Sequence, residues 1–310
     1  MKLHIRAASA ALTLILGLAP QFAHACACGC YVFDVGAGSL IPSGEHGSIS
    51  LEYDFMDQTQ NWSGDSRSPA AANDDKRIIS DFIKLGGQYM INQDWTVMAD
   101  LPVTDRTFRT VDDDLGDVGT FHDTALGDVR LMADYTGLSK DMSTGILFGV
   151  KLPTGDFSAA GFDRDTAIGS GSTDVLIGAY HLGSLTKDGI WTYFAQGVAQ
   201  IPVAVAGGYR PGQEFDAASG VYYNGLSVGG DRFKIAPVLQ VVVSARAPDV
   251  GILADRPNSG YQRVLLSPGV QVNTGQWRVY GDVELPVFQH VNGQQLTAPV
   301  LMKIAFSRSF

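Results

Sequence analysis

The sequence predicts an all-β fold: an antiparallel transmembrane β-barrel of outer-membrane type with about twelve strands. Three observations predict it. Segments of about ten residues alternate apolar and polar side chains along the whole chain. Their connections alternate between short turns and long polar stretches, the pattern of a barrel with short periplasmic turns and long outer loops. The chain also begins with a stretch that reads as a secretory leader and ends inside an alternating segment, on Phe310.

Residues 1–25 read as a signal peptide: Lys2 and Arg6 start it, Ala7 to Ala19 are its apolar stretch, and Ala23-His24-Ala25 is a small-x-small cleavage site. That apolar run is shorter than the ~20 residues of a spanning helix, which disfavours an anchor. Cleavage would leave Cys26 first, so a lipidated cysteine is an alternative, although Ala23 and His24 fit a lipobox poorly. The expected organisation is 1–25 signal peptide, 26–45 a periplasmic cysteine-bearing segment, and 46–310 the barrel.

No later run is apolar over a spanning length, which argues against a helical membrane protein. Yet 45% of residues are hydrophobic, so they need a core or a lipid-facing wall. The net charge of −10 argues against nucleic acid as a partner, which needs a basic footprint, and suits acidic surface loops.

The strands follow in order. Ile49, Leu51, Tyr53 and Phe55 share one face of the first. Ile79, Ile83, Leu85, Tyr89 and Ile91 mark the second, with Lys84 and Gln88 opposite; Val97, Ala99, Leu101 and Val103 mark the third, with Asp100 opposite. In the fourth, Val129, Leu131, Ala133 and Tyr135 alternate with Asp128, Arg130, Met132 and Asp134. The fifth carries Thr144, Ile146, Phe148, Val150 and Leu152, with Lys151 inward. The sixth, 174–182, is apolar on both faces, so its register stays open. Trp191 to Ile201, Tyr222 to Val228, Phe233 to Val243 and Val264 to Val272 supply four more. In Trp277 to Val287 the inward positions are Arg278, Asp282 and Glu284. The last strand places Val300, Met302, Ile304, Phe306 and Phe310 on one face. Phe306 and Phe310 are expected to form the signal read by the barrel-insertion machinery, with Arg308 a departure from an apolar run.

Short connections are expected at 92–94, 137–141, 183–189, 229–231 and 273–276, and long ones at 57–77, 105–123, 153–171, 202–220 and 245–262. An even strand count returns both ends to the periplasmic side. Trp95, Trp191 and Trp277 each fall at a short-turn end, where indoles suit the membrane–water interface.

The sharpest chemical motif is Cys26-Ala27-Cys28-Gly29-Cys30. Thiolates at this spacing can converge on a soft metal ion, so Cys26, Cys28 and Cys30 are candidate ligands, or a docking point for a periplasmic partner. A disulfide is the plainer alternative, and Cys-x-x-Cys-His for haem is absent. His46, His122, His181 and His290 are scattered and form no hydrolase or metalloprotease motif, so no enzyme activity is expected. Acidic stretches such as Asp112-Asp113-Asp114 and Asp163 with Asp165 lack calcium-loop spacing and read as solvated charge.

Three segments remain: Ala125-Leu126-Gly127-Asp128-Val129-Arg130, Lys151-Leu152-Pro153-Thr154-Gly155-Asp156 and Gly169-Ser170-Gly171-Ser172-Thr173-Asp174. Pro and Gly in the second make a turn, and no helix follows the third to complete a phosphate cradle. Together they resemble the outer-membrane barrel family of meta-pathway phenol-degradation transporters, over about residues 125–182. The resemblance implies an outer-membrane channel, with aromatic or other apolar compounds as solutes. The cysteine head is foreign to that pattern.

The expected function is therefore passage of a small solute across the outer membrane, with membrane lipid around the wall. The candidate lumen residues are Lys84, Asp100, Asp128, Arg130, Asp134, Lys151, Arg278, Asp282 and Glu284, whose mixed signs argue against a simple ion-selective ring. The alternative is a metal- or redox-linked barrel that serves the cysteine head.

Overall fold

The computed structural model of the protein describes residues 33, 35–37, 46–111 and 116–310. The leader and Cys26, Cys28 and Cys30 lie outside the described residues.

Twelve strands form the wall: β1 (Gly47–Gln58), β2 (Asp75–Asn92), β3 (Trp95–Val111), β4 (in two pieces, Val118–Leu126 and Arg130–Tyr135), β5 (Thr144–Lys151), β6 (Ser172–Ser184), β7 (Trp191–Val205), β8 (Glu214–Tyr223), β9 (Phe233–Arg246), β10 (Tyr261–Thr274), β11 (Trp277–Thr297) and β12 (Leu301–Ser309). Each pairs antiparallel with the next. The barrel closes where β12 meets β1, from Ser48 opposite Ser309 to Met56 opposite Leu301. Closure satisfies every strand's ladder within the wall, which is what a sheet surrounded by lipid requires.

Alternation then decides the faces. Ile49, Leu51 and Tyr53 of β1 are exposed on the outside, while Glu52, Asp54 and Met56 are buried inside. The same holds around the wall, with Leu85, Leu131, Phe148, Ile177, Phe215, Leu239 and Ile304 outward. Phe306 and Phe310 also face outward and are exposed.

Aromatic pairs mark the short-turn end. Trp95 lies opposite Tyr135, with ring centroids 5.1 Å apart, and Trp191 lies opposite Tyr223 at 4.9 Å. Trp277 instead faces Arg308, whose guanidinium sits 5.4 Å from its ring. The charged residue near the chain end is thus a cation–π partner in the aromatic girdle.

Three features differ from the sequence expectation. First, the eighth strand is Glu214–Tyr223: it starts within the expected 202–220 loop and ends near the start of the expected strand Tyr222 to Val228, and its run Ala217-Ala218-Ser219-Gly220 is too small and mixed to show alternation. Second, most of the expected 105–123 loop is paired strand, with Val103 to Val111 opposite Val118 to Leu126. A bulge separates that extension from the rest of β4: residues 101–102 of β3 oppose 127–129 of β4. Third, Phe33, Val35 and Ala37, from the segment assigned to the periplasm, are buried inside the barrel. The sixth strand, whose register was open, points Asp174, Leu176 and Tyr180 inward, where all three are buried.

Candidate functional site: a lumen divided by a plug and a folded-in loop

Phe33, Val35, Gly36 and Ala37 lie in the lumen and belong to no strand. Side chains of the wall hold them. Gln196 Nε2 donates to the Gly36 carbonyl at 2.6 Å, and the Ala37 amide donates to Gln240 Oε1 at 2.9 Å. Lys303 Nζ donates to the Phe33 carbonyl. The Phe33 ring packs on Phe82 of β2, centroids 5.9 Å apart. Gly36 has φ +110°, which a residue with a Cβ adopts only under strain.

Above Phe33, toward the long loops, is a chamber of about 110 Å³. Phe82, Pro102, Tyr209 and Pro211 contribute apolar walls, and Arg106, Arg130 and Lys84 polar ones. Its roof is Asp165, Ala167 and Ile168, from the connection between β5 and β6. Below Phe33, toward the short turns, lies a polar vestibule of about 360 Å³ lined by Ser48, Gln88, Lys234, Arg278 and Ser307.

The three motif segments, far apart in sequence, meet at the long-loop edge of the chamber. The β4 bulge turns Asp128 toward the neck of the β5–β6 loop. Its carboxylate accepts from the Gly155 amide at 3.0 Å, the Ser170 amide at 3.0 Å and the Ser170 hydroxyl at 2.5 Å. Lys151 Nζ is fully buried beside it, 3.4 Å from Asp128 and 2.8 Å from Asp174. Thr154 Oγ1 donates to the Gly127 carbonyl and accepts from the Val129 amide, at 2.8 and 2.9 Å. The spacing of Gly-Asp, Pro-Thr-Gly and Gly-Ser-Gly therefore encodes one knot that folds a loop into the barrel mouth.

The other lumen charges fall into separate groups. Lys84 pairs with Glu52 at 2.6 Å, and Lys303 stands 4.0 Å from the same carboxylate. Arg130 donates to Gln200 at 2.7 Å. Asp282 accepts from Gln240, Ser267 and Tyr280 at 2.7–2.8 Å. Asp134 and Glu284 are buried, and neither carboxylate accepts a hydrogen bond among the described residues. Arg278 donates to Asn273 at 3.4 Å in the lower vestibule. Of the nine candidate lumen residues, Lys84, Asp100, Asp128 and Arg130 line the chamber; the other five do not.

The residues that shape the site most were not singled out from sequence. Phe33 follows the cysteine motif, which carries no signal for a lumen position, and Gln196 sits in a segment with no distinguishing motif. Arg106 lies just inside a stretch read as loop, yet its buried guanidinium reaches across to that roof, donating to the Thr166 carbonyl at 2.6 Å and the Ala167 carbonyl at 3.1 Å. An arginine on the inward parity of an extended third strand was the available signal. Among the described residues, no group of three or more His, Cys, Asp or Glu is placed to hold a metal ion.

No protein-family model matches the chain, and no curated protein matches it. Solved structures do. The COG4313 outer membrane channel from Pseudomonas putida F1 is similar over 89% of this chain and 100% of its own, at 13% identity and TM-score 0.66. The beta domain of the Bordetella autotransporter BrkA is similar over 86% of this chain and 100% of its own, at 11% identity and TM-score 0.52. The CymD monoaromatic hydrocarbon channel aligns over 94% and 98%, at 12% identity and TM-score 0.47. The first two likenesses show the fold to be that of a bacterial outer-membrane barrel.

Proposed function

We propose that the protein is an outer-membrane channel for small, largely apolar solutes, aromatic ones among them. The observation that carries this reading is the chamber between Phe33, Phe82 and the folded-in loop. Its volume of about 110 Å³ is of the order of the ~150 Å³ apolar cavity that holds a benzene ring. The flat faces of Phe33, Phe82 and Tyr209 suit a planar apolar body better than a hydrated one. Lumen charges engaged with one another, as in Lys84–Glu52 and Lys151–Asp174, do not form an open ring that attracts ions. The similarity to an outer membrane channel agrees with passage as the role.

In this reading the short-turn end faces the periplasm, and membrane lipid covers the outward apolar belt. Phe33, Val35, Gly36 and Ala37 block the path from the periplasmic side, and the 153–171 loop blocks it from outside. Lys84, Asp100, Asp128 and Arg130 tune the chamber's polarity, whereas Asp134, Lys151, Arg278, Asp282 and Glu284 act outside it.

Uptake of a radiolabelled small neutral aromatic by cells expressing the barrel, against cells with an empty vector, tests the function. The lipopolysaccharide leaflet keeps unaided entry slow. Faster entry of the aromatic, with no gain for a disaccharide, is expected. Equal rates with and without the barrel refute the reading.

A further inference from the structure

The loop between β5 and β6 is built in two parts with different chemistry. Its neck is fixed. Gly155 and Gly169 approach so closely that a Cβ on Gly169 would lie 2.2 Å from the Gly155 backbone, and Asp128 grips the amides on both sides. Lys151 and Asp174, with no solvent exposure, back that grip. Undoing it would strand buried charges, so the neck stays shut.

Beyond the neck, residues 156–168 pair with no strand. They roof the chamber through Asp165, Ala167 and Ile168. Two contacts seat them on the wall. The first is Arg106, which donates to the Thr166 and Ala167 carbonyls. The second is Phe162, whose ring lies 5.7 Å from that of Phe108, beside buried Ile78 and Leu296. A third contact ties the tip to the next loop: Arg164 lies 5.0 Å from the Tyr209 ring and donates to the Ala206 carbonyl at 3.4 Å. Arg106 Nε is held on the wall by the Ser80 hydroxyl at 2.9 Å, and the loop groups that accept from the two arginines are main-chain carbonyls. Water can replace a donor to a carbonyl when the tip lifts, whereas it cannot reach the carboxylates of the neck.

We propose that residues 156–168 form a lid that opens the chamber to the outside, turning on the fixed Gly155–Gly169 neck, with Arg106 as its latch and the Phe108–Phe162 contact as its seat. The proposal rests on the channel reading and adds the element that controls entry. Lifting the tip removes the roof and leaves the Phe33 plug in place below, so the two barriers act in sequence and the chamber is loaded from outside first.

A reversible lock tests it. In a background with Cys26, Cys28 and Cys30 changed to Ser, Phe108→Cys and Phe162→Cys place two thiols where the rings now touch. A short bis-thiol crosslinker that a reductant cleaves then ties the tip to the wall. Crosslinking, verified by mass, is expected to cut aromatic uptake to the empty-vector level, and reduction to restore it. Uptake unchanged by a verified crosslink overturns the lid. Folding is checked independently by the heat-dependent mobility shift of an intact barrel on a gel. Arg106→Ala provides a second arm without engineered cysteines: it is expected to speed protease cleavage within 156–168 on intact cells, and cleavage at the wild-type rate argues against the latch. If the uncrosslinked parent takes up no aromatic, the channel reading fails, and the lid with it; if only the locked form transports like its parent, the lid alone fails.

Discussion

Lys151 Nζ lies 2.8 Å from the Asp174 carboxylate, on adjacent strands, and neither side chain has any solvent exposure. Asp128 completes the group at 3.4 Å from the same ammonium. Two carboxylates around one lysine, deep at the barrel mouth, join three wall strands, β4, β5 and β6, to both ends of an inward loop.

Removing the lysine should be far worse than removing the whole group. Lys151→Met leaves Asp128 and Asp174 buried without their cation, at a cost of about 3–5 kcal/mol. The urea midpoint for loss of the folded-barrel gel band is expected to fall accordingly. Adding Asp174→Asn to Lys151→Met should recover part of that loss, since it removes the stranded charge. A single Lys151→Met with the wild-type midpoint contradicts the assignment of this group as the anchor of the neck.

Close backbone approach at the neck gives a second prediction. A Cβ at residue 169 would lie 2.2 Å from the Gly155 carbonyl carbon and oxygen. No rotamer change relieves a clash with backbone, so Gly169→Ala must push the neck apart, at about 1–3 kcal/mol as for overpacked cores. The readout is local: faster proteolysis within 156–168, with a smaller change in global unfolding. Gly87→Ala is the control, because a Cβ there meets nothing within 4 Å.

How legible this was in sequence depends on whether the signal is local. The wall was readable because alternation is a local property: Asp128 to Tyr135 shows it within eight residues. The exception proves the mechanism, since Ala217 to Gly220 in β8 has side chains too small to advertise a face. The neck was half readable. Its three segments stand out as motifs, and the second carries visible turn chemistry, but their meeting depends on a bulge at 127–129 that no local pattern reports. Phe33 was not readable as a plug. A lone aromatic outside the alternating segments has the same local signature whether it sits inside the lumen or outside it. Arg106 was hidden for another reason: the outward face of β3 beyond Val103 turns polar where it leaves the lipid, so the apolar alternation ends although the strand runs on to Val111.

The plug's hold on the wall yields a prediction about conductance. Gln196 Nε2 donates to the Gly36 carbonyl at 2.6 Å, while the neighbouring Ala37 amide is held by a different residue, Gln240. Gln196→Ala therefore loosens the segment without disturbing the Gln240–Asp282 network beside it. Planar-bilayer recordings are expected to show larger or more frequent open events than wild type. Deleting residues 26–45 should give the upper limit of that increase. Identical conductance in the deletion and the wild type would mean that the segment does not obstruct the lumen.

Proton uptake should bias the lid, and the sign follows from burial. In the closed arrangement burial pushes the Asp165 carboxyl well above its ordinary range, with further increments from Asp163, Asp249 and Asp75 and an opposing effect of Arg246. Lifting the tip returns Asp165 to water, where its pKa falls back toward about 3.9. The closed form thus holds the proton more tightly, and closure is fully favoured below the open-state value. As pH rises from there through the raised, closed-state value, the closed lid loses this advantage, because a buried Asp165 must then either ionise or be exposed. Uptake is expected to increase with pH over that window and to level off above it. Asp165→Asn removes the titrating group and keeps its size, so it should hold uptake at a pH-independent, low level by leaving the lid without an ionic reason to lift. Uptake in Asp165→Asn that follows the same pH curve as wild type would assign the dependence to another group.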